Sequence, residues 1–177
     1  MEQEPTRTTE QEPARTTYET TSRAACAPRA EYFMREALKE AKAAAAMQEV
    51  PIGAVVVYDG EIIARAHNMR EVHADPAAHA EFLAIEEAAH ILDRWRLVGC
   101  SVFVTLEPCL MCAGLMLNAR IDSCIFGAQD PKGGALGSLY DISHDHRLNH
   151  AFEFEQGVLA DECADLLKCF FRARRGK

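Results

Sequence analysis

Two short stretches decide the fold: His79-Ala80-Glu81, and Pro108-Cys109-Leu110-Met111-Cys112, whose first cysteine follows the histidine by 30 positions. They supply one imidazole, two thiols and one carboxylate. Zn²⁺ prefers imidazole nitrogen and thiolate sulfur, and a catalytic site binds it through three protein ligands and a water molecule. A Cys-x-x-Cys pair at a helix start lies beside unsatisfied N–H groups, which favour the thiolate. The pattern therefore predicts one catalytic zinc per chain, bound by His79, Cys109 and Cys112.

The Cys-x-x-Cys pair has two other interpretations, because redox pairs and structural zinc knuckles share this spacing. A structural site needs a fourth protein ligand, and no second Cys-x-x-Cys or His pair stands at finger spacing. Cys100 and Cys124 remain as candidates, but both stand among strand-like residues where a small buried hydrophobe is expected. A redox pair would leave the histidine stretch unexplained. We therefore favour the catalytic metal site.

Glu81 is the predicted proton carrier. It stands two residues after the histidine, and side chains at i and i+2 of a regular helix diverge by about 200°. That divergence suits a carboxylate that flanks a bound water without coordinating the metal. Glu107, just before the Pro-Cys turn, is a rival for this role. We prefer Glu81 because the two stretches resemble the signature of zinc nucleobase deaminases, which assigns the role to the glutamate after the histidine.

The remaining pattern predicts a single α/β domain. A chain of 177 residues with 49% hydrophobic residues can build one substantial core. An Asp59-Gly60 turn joins two strand-like runs, and alternating helices and strands follow, which implies a mixed sheet with helices on both faces. Both motif stretches then begin helices, and the metal site lies where these helix ends meet. The expected strands are 52–58, 61–66, 101–106, 123–126 and 152–154, and the expected helices are 30–47, 79–92, 109–118 and 160–174.

The beginning of the chain contains a duplication. Residues 2–9 recur at 10–17 with a single change, from Thr6 to Ala14. These octads are polar and lack an apolar face, so they cannot bury enough surface to offset the entropy cost of ordering. We therefore expect 1–28 to be a disordered tail and 29–177 to be the zinc-binding domain, with order beginning near Pro28.

Cysteine usage and hydropathy both indicate the cytoplasm. The seven cysteines are an odd number, two are assigned to the metal, and the others form no secretory framework. No apolar run approaches membrane-spanning length. The first residues have neither the hydrophobic segment of a signal peptide nor the acid-poor composition of a transit peptide. We expect a cytoplasmic protein with reduced thiols and no membrane partner.

Charge is unevenly distributed along the chain. The net charge of −8 gives no global attraction to nucleic acid. Residues 171–177 are nevertheless basic, because they contain Arg172, Arg174, Arg175 and Lys177 and no acid. Such a basic end is either a solvated helix terminus or a nucleic-acid contact, and charge alone leaves both interpretations open.

From about Ala30 to Arg175 the chain resembles the cytidine-deaminase-like superfamily and, within it, the bacterial tRNA-specific adenosine deaminases. The stretches that carry this resemblance are 49–57, 75–81, 105–114, 126–139, 148–150, 157–163 and 170–175. The resemblance implies a three-layer α/β/α fold with a mixed central sheet. It also implies deamination of adenosine to inosine at the wobble position of a tRNA anticodon stem-loop. The enzyme would be a homodimer whose subunits both help to form each tRNA site.

The resemblance also assigns roles to single residues. His79, Cys109 and Cys112 match the zinc ligands, and Glu81 matches the proton shuttle. Asn68 matches a base-contacting asparagine, and Asp130 matches a loop residue near the ribose-phosphate backbone. Each of these two has a structural alternative, because Asn68 could cap the exit of the hairpin and Asp130 before a proline is ordinary turn chemistry. Phosphate binding would fall to Lys132, Arg147, Arg172, Arg174 and Arg175.

The implied mechanism depends on Glu81, which takes a proton from water, delivers it to a ring nitrogen of adenine as C6 is attacked, and then protonates the departing ammonia. Two rival functions remain. A deaminase of guanine, cytidine or a pterin-like ring would keep the metal site but would not need the basic end. A catalytically idle RNA-binding subunit would not need Glu81, whose presence argues against that rival.

Overall fold

The computed structural model describes residues 23–175, and side chains from Arg29 onward. Residues 1–22 of the expected tail lie outside this part of the chain. Within it, no helix is long and apolar enough to cross a membrane. The helices are α1 (Arg23–Ala46), α2 (Arg70–His73), α3 (Ala80–Ile91), α4 (Leu110–Ala119) and α5 (Ala160–Arg175). The strands are β1 (Gly53–Tyr58), β2 (Glu61–His67), β3 (Cys100–Leu106), β4 (Ser123–Ala128) and β5 (Glu153–Gln156).

The strands form one mixed sheet in the order β2-β1-β3-β4-β5. Strand β1 pairs antiparallel with β2 and with β3, whereas β3, β4 and β5 run parallel. The hairpin turn has positive φ at both central residues, 50° at Asp59 and 77° at Gly60, as a two-residue turn between twisted strands requires. The mixed sheet predicted from the sequence is confirmed.

Helices cover both faces of the sheet. Alternate residues of a strand point to opposite faces, so Val55 and Val57 of β1 pack with α1 and α5, whereas Ala54 and Val56 pack with α3 and α4. Both clusters consist of buried aliphatic and aromatic side chains. The three-layer α/β/α fold that the resemblance implies is therefore confirmed.

The observed elements differ from the expected ones by more than two residues at two places. Helix α1 begins at Arg23 and so includes six residues, 23–28, that the sequence assigns to the tail. Ala24 and Ala25 have high helix propensity and favour this earlier start. Helix α2 was not expected, because four residues are too few to give a helical pattern.

The C-terminal ends of β2 and β3, and the helices that follow them, lie at the same end of the sheet. Strand β3 ends at Leu106, just before the second motif stretch, and β2 ends at His67, before α2 and the first stretch. Gly53, at the start of β1, also lies at this end of the sheet. A Cβ at position 53 would collide with the α1 backbone at Ala37 and Ala41. A glycine is thus required for α1 to pack closely beside the site.

Candidate active site

His79, Cys109 and Cys112 lie together. The Nδ1 atom of His79 is 3.7 Å from the Sγ of Cys109 and 3.5 Å from the Sγ of Cys112, and all three atoms lie within 4.8 Å of one another. In a tetrahedral site with Zn–S of about 2.3 Å and Zn–N of about 2.0–2.1 Å, the N···S distance is about 3.6 Å. The three residues therefore fit a metal of this size and preference.

Two helix N-termini position these side chains. His79 is the N-cap of α3 and Cys109 is the N-cap of α4, both with extended backbone, and neither side chain caps its own helix. The imidazole and the sulfur are therefore free to bind a metal. Cys112 lies in the first turn of α4 and is fully buried, so it approaches the same point from the protein interior.

The three candidate ligands are electrostatically coupled. A hydrogen bond from Cys112 holds the pKa of the Cys109 thiol well below its usual range, with a further contribution from His79. The same hydrogen bond, together with burial, raises the pKa of Cys112. Contact with Cys109 raises the pKa of His79. The cluster thus already holds thiolate character, and a cation bound there would displace the shared protons.

Glu81 lies beside this cluster, in the first turn of α3, and is 4% exposed. Burial raises the pKa of its carboxyl to about 7, against smaller opposing contributions from a backbone hydrogen bond and from His79. A carboxyl group that titrates near neutral pH can both accept and donate a proton in one reaction cycle. Glu81 is not among the residues whose atoms converge on the metal position, and this leaves it available for proton transfer.

Glu107 has a different set of contacts. Its carboxylate accepts hydrogen bonds from the backbone N–H groups of Asp130, Leu136 and Ser138, at 3.0–3.1 Å, and from the Ser138 hydroxyl. A Cβ at Gly134 would collide with this carboxylate, so the loop can wrap it only with a glycine there. Glu107 therefore organises loop 130–138, and both of its oxygens are used. The contacts favour Glu81 over Glu107 as the proton carrier.

A cavity of about 200 Å³ opens above the cluster. Typical small-molecule pockets are larger, about 300–1,000 Å³, so this cavity suits a single ring system. Its walls include residues from both motif stretches and from the surrounding loops: Asn68, Arg70, His79, Glu81, Cys109 and Asp130. A larger groove of about 500 Å³ lies between α1 and β5 at the opposite end of the sheet, where β3, β4 and β5 begin. It contains none of the predicted site residues.

Asn68 and Asp130 both line the cavity and both have structural contacts. Asn68 is 3% exposed, and its Nδ2 donates to Glu49 at 2.9 Å. The Oδ1 of Asp130 accepts from the backbone N–H of Lys132 at 2.9 Å, which is an Asx turn. For Asp130, the turn and a position at the cavity occur together.

The basic residues of α5 lie outside the cavity, and one of them contacts the segment next to its wall. Arg172, Arg174 and Arg175 are exposed in the last turn of α5. The guanidinium of Arg174 donates to the carbonyl oxygen of Gln48 at 2.8 Å, and Val50, two residues further on, lines the cavity. The last turn of α5 therefore adjoins the segment that forms this wall.

Sequence reasoning missed two residues near the cavity. Arg70 is an exposed cation at the cavity. Its position two residues after Asn68 was the sequence feature that could have indicated this place. Glu49 is a buried acid directly before the mostly apolar run 50–57, and burial of an acid is itself unusual. Arg147, predicted to bind phosphate, is exposed and pairs with Asp145 at 2.6 Å, and its role stays a prediction.

Comparison with known proteins agrees with this geometry. Residues 29–175 match the MafB19-like deaminase family, and the chain belongs to that family. Among its relatives, the tRNA-specific adenosine deaminase of Bacillus subtilis (strain 168) is 52% identical over 147 residues, which are 83% of this chain and 91% of the relative. That of Streptococcus pyogenes serotype M1 is 49% identical over 144 residues, covering 81% and 84%. The family predicted from the sequence is confirmed.

Two solved structures are similar to this chain in fold. One from a study of A-to-I editing by tRNA:A34 deaminases at the wobble position of transfer RNA has a TM-score of 0.75 and 44% identity, covering 77% of this chain and 99% of that one. A guanine deaminase from Nitrosomonas europaea is more distant, with a TM-score of 0.67 and 25% identity, covering 79% of this chain and 83% of that one.

Proposed function

We propose that this chain hydrolytically deaminates adenosine to inosine at the wobble position of a tRNA anticodon. The observation that carries the proposal is the cavity in which buried Glu81 adjoins the His79, Cys109 and Cys112 cluster. The similarity of nearly the whole folded region to tRNA-specific adenosine deaminases supports tRNA over a free base. The guanine deaminase has the same fold at much lower identity.

The metal in this proposal is zinc, one per subunit. Two thiolates and one imidazole are ligands that suit zinc, and three protein ligands leave one position for water. Bound zinc would lower the pKa of that water enough to supply hydroxide near neutral pH.

Glu81 would perform the proton transfers. It accepts a proton from the attacking water and donates it to a ring nitrogen of adenine as the C6–O bond forms. It then takes the second proton from the new C6 hydroxyl and gives it to the amino group, which leaves as ammonia when the C6–N bond breaks. Burial supports this role, since the pKa of about 7 lets one carboxyl group exist in both states during turnover.

The anticodon stem-loop would approach from the mouth of the cavity. The wobble base lies in a loop, so moving it into the cavity costs less than extruding a base from a duplex. Asn68 would contact the base and Asp130 would lie near its ribose-phosphate backbone. Arg70, Lys132 and the arginines of α5 would bind phosphates. Arg172, Arg174 and Arg175 are exposed, and Arg174 contacts Gln48 next to the cavity wall.

The active form would be a homodimer. Leu110 and Met111, between the two cysteine ligands, are 47% and 37% exposed. An apolar groove of about 250 Å³ between α3 and α4 is lined by Phe82, Trp95 and Leu115. Exposed apolar surfaces of this kind commonly mark association sites. A second subunit bound at Leu110 would adjoin the cavity and could contribute to the tRNA site.

The protein would act in the cytoplasm. Cys100, Cys124 and Cys163 are free and buried, as expected in a reducing compartment.

An assay of ammonia release separates this function from its rivals. Purified protein is offered total tRNA, free adenosine, free cytidine and free guanine at matched concentrations. We expect release from tRNA only. Release from guanine or a free nucleoside would make the chain a small-molecule deaminase, and no release from any substrate by metal-loaded protein would support the idle-subunit alternative.

A further inference from the structure

Glu49 is a buried acid that the proposed reaction does not use. It stands between α1 and β1 and is 1% exposed. Its Oε1 accepts the backbone N–H groups of Glu71 and Val72 at 2.8 Å each, and its Oε2 accepts the Nδ2 of Asn68 at 2.9 Å. The carboxylate therefore ties the cavity residue Asn68 to the start of α2.

These contacts determine which way the Asn68 amide faces. A carboxylate oxygen can only accept, so the amide nitrogen must face Glu49. Rotating the amide by 180° would set two acceptor oxygens against each other. One N–H of Nδ2 thus bonds Glu49, and the second N–H and Oδ1 remain available for another hydrogen-bond partner.

The Oδ1 atom is available at the cavity. Among residues 23–175 the structure shows no donor to it, and no fully enclosed side-chain polar atom there lacks a partner. Oδ1 is therefore reached by solvent, and Asn68 lines the cavity.

We propose that Glu49 is a positioning residue that fixes the Asn68 amide, so that an acceptor oxygen and one N–H face the base in a set order. This order is complementary to the amino group and N7 of adenine, whereas guanine presents two acceptors on the same edge. The inference rests on the proposed function, because it takes the wobble adenine as the base in the cavity. Glu49 would thereby favour adenine over guanine without touching either.

Glu49→Gln tests the orientation with little change in shape. The oxygen of the introduced amide would stay with the α2 backbone N–H groups, and its nitrogen would face Asn68. Asn68 must then turn its own oxygen toward that nitrogen, which reverses the order presented to the base. We expect kcat/KM on tRNA to fall by roughly 10- to 100-fold, the worth of a bidentate contact, with metal content unchanged.

A second substitution distinguishes positioning from general stability. Asn68→Asp alone sets two carboxylates against each other and should also lose activity. In Glu49→Gln/Asn68→Asp, the amide nitrogen introduced at position 49 again has an acceptor, and an oxygen again faces the base. The double variant should therefore exceed the Asn68→Asp variant in kcat/KM by about 10-fold, which is a coupling that independent sites would not show.

Glu36→Gln is the matched control. Glu36 is another buried acid, paired with Lys39 and Arg65 away from the cavity, so its loss should lower the melting temperature and leave kcat and KM unchanged. Two results would overturn the inference. One is wild-type activity in Glu49→Gln. The other is a double variant that folds and binds metal yet is no better than Asn68→Asp, and this second result counts even where Glu49→Gln alone does not fold. Wild-type protein that leaves tRNA unchanged would instead refute the proposed function.

Discussion

The metal end of the cavity and its mouth are built in different ways. The metal end consists of His79, Glu81, Cys109 and Cys112, all at the N-cap or in the first turn of a helix. The mouth consists of Asn68 and Asp130 on loops and Arg70 at the start of α2. The buried carboxylates of Glu49 and Glu107 hold Asn68 and Asp130. In the proposed function, the chemistry would therefore rest on two helix ends, and substrate selection would rest on segments held by long-range hydrogen bonds.

The largest effect should follow loss of a ligand at the metal end. Cys112→Ser replaces a thiolate with a hydroxyl that binds zinc poorly. Metal analysis should fall from one equivalent per chain to nearly none, and deamination should disappear. Cys163→Ser is the control, since Cys163 is also buried but belongs to α5 and packs against the face of the sheet opposite α3 and α4. A Cys112→Ser protein with full metal would refute the ligand assignment.

Loss of the proton carrier should come next. Glu81→Gln keeps the shape but cannot accept a proton, so kcat should fall by about 10²–10⁴-fold while metal content and melting temperature persist. Glu87→Gln, an exposed position on the same helix, should behave as wild type. Near-normal turnover in Glu81→Gln would assign proton transfer to another group.

A change at the mouth should instead affect substrate binding. Glu107→Gln leaves one oxygen for Leu136 and Ser138 but sets an amide nitrogen against the N–H of Asp130. An unpaired buried donor costs about 1–3 kcal/mol, so the melting temperature should fall and KM for tRNA should rise several-fold, with kcat little changed. A fall in kcat as deep as that of Glu81→Gln would mean that Glu107 is the proton carrier.

The smallest effect should come from the basic end of α5. Replacing Arg172, Arg174 and Arg175 with alanine should weaken tRNA binding and flatten its salt dependence by about 0.7–0.9 in log–log slope for each lost phosphate contact. Lys168→Ala is the control, because Lys168 is already paired with Asp165 on the same helix. An unchanged slope would make the basic end a solvated helix terminus.

The same comparison explains what the sequence could predict. The metal end follows from short spacings, because a helix start converts Cys109 and Cys112 into neighbours without help from the rest of the chain. Glu49 could not be assigned a role, since its partners Asn68 and Val72 stand 19 and 23 positions away. Glu107 was considered only as a rival proton carrier, because nothing local indicates that loop 130–138 folds around it.

The central claim is that the metal end acts on one adenosine in a tRNA. Its most direct test is nucleoside analysis of an anticodon stem-loop with adenosine at the wobble position, after incubation with metal-loaded protein. A matched stem-loop with that adenosine moved into the stem is the comparison, and Glu81→Gln protein is the blank. The account predicts inosine at the wobble position only, and only with wild-type protein. Two results would contradict it. One is no inosine in either stem-loop from protein that deaminates free guanine, and the other is an equal amount of inosine in both stem-loops.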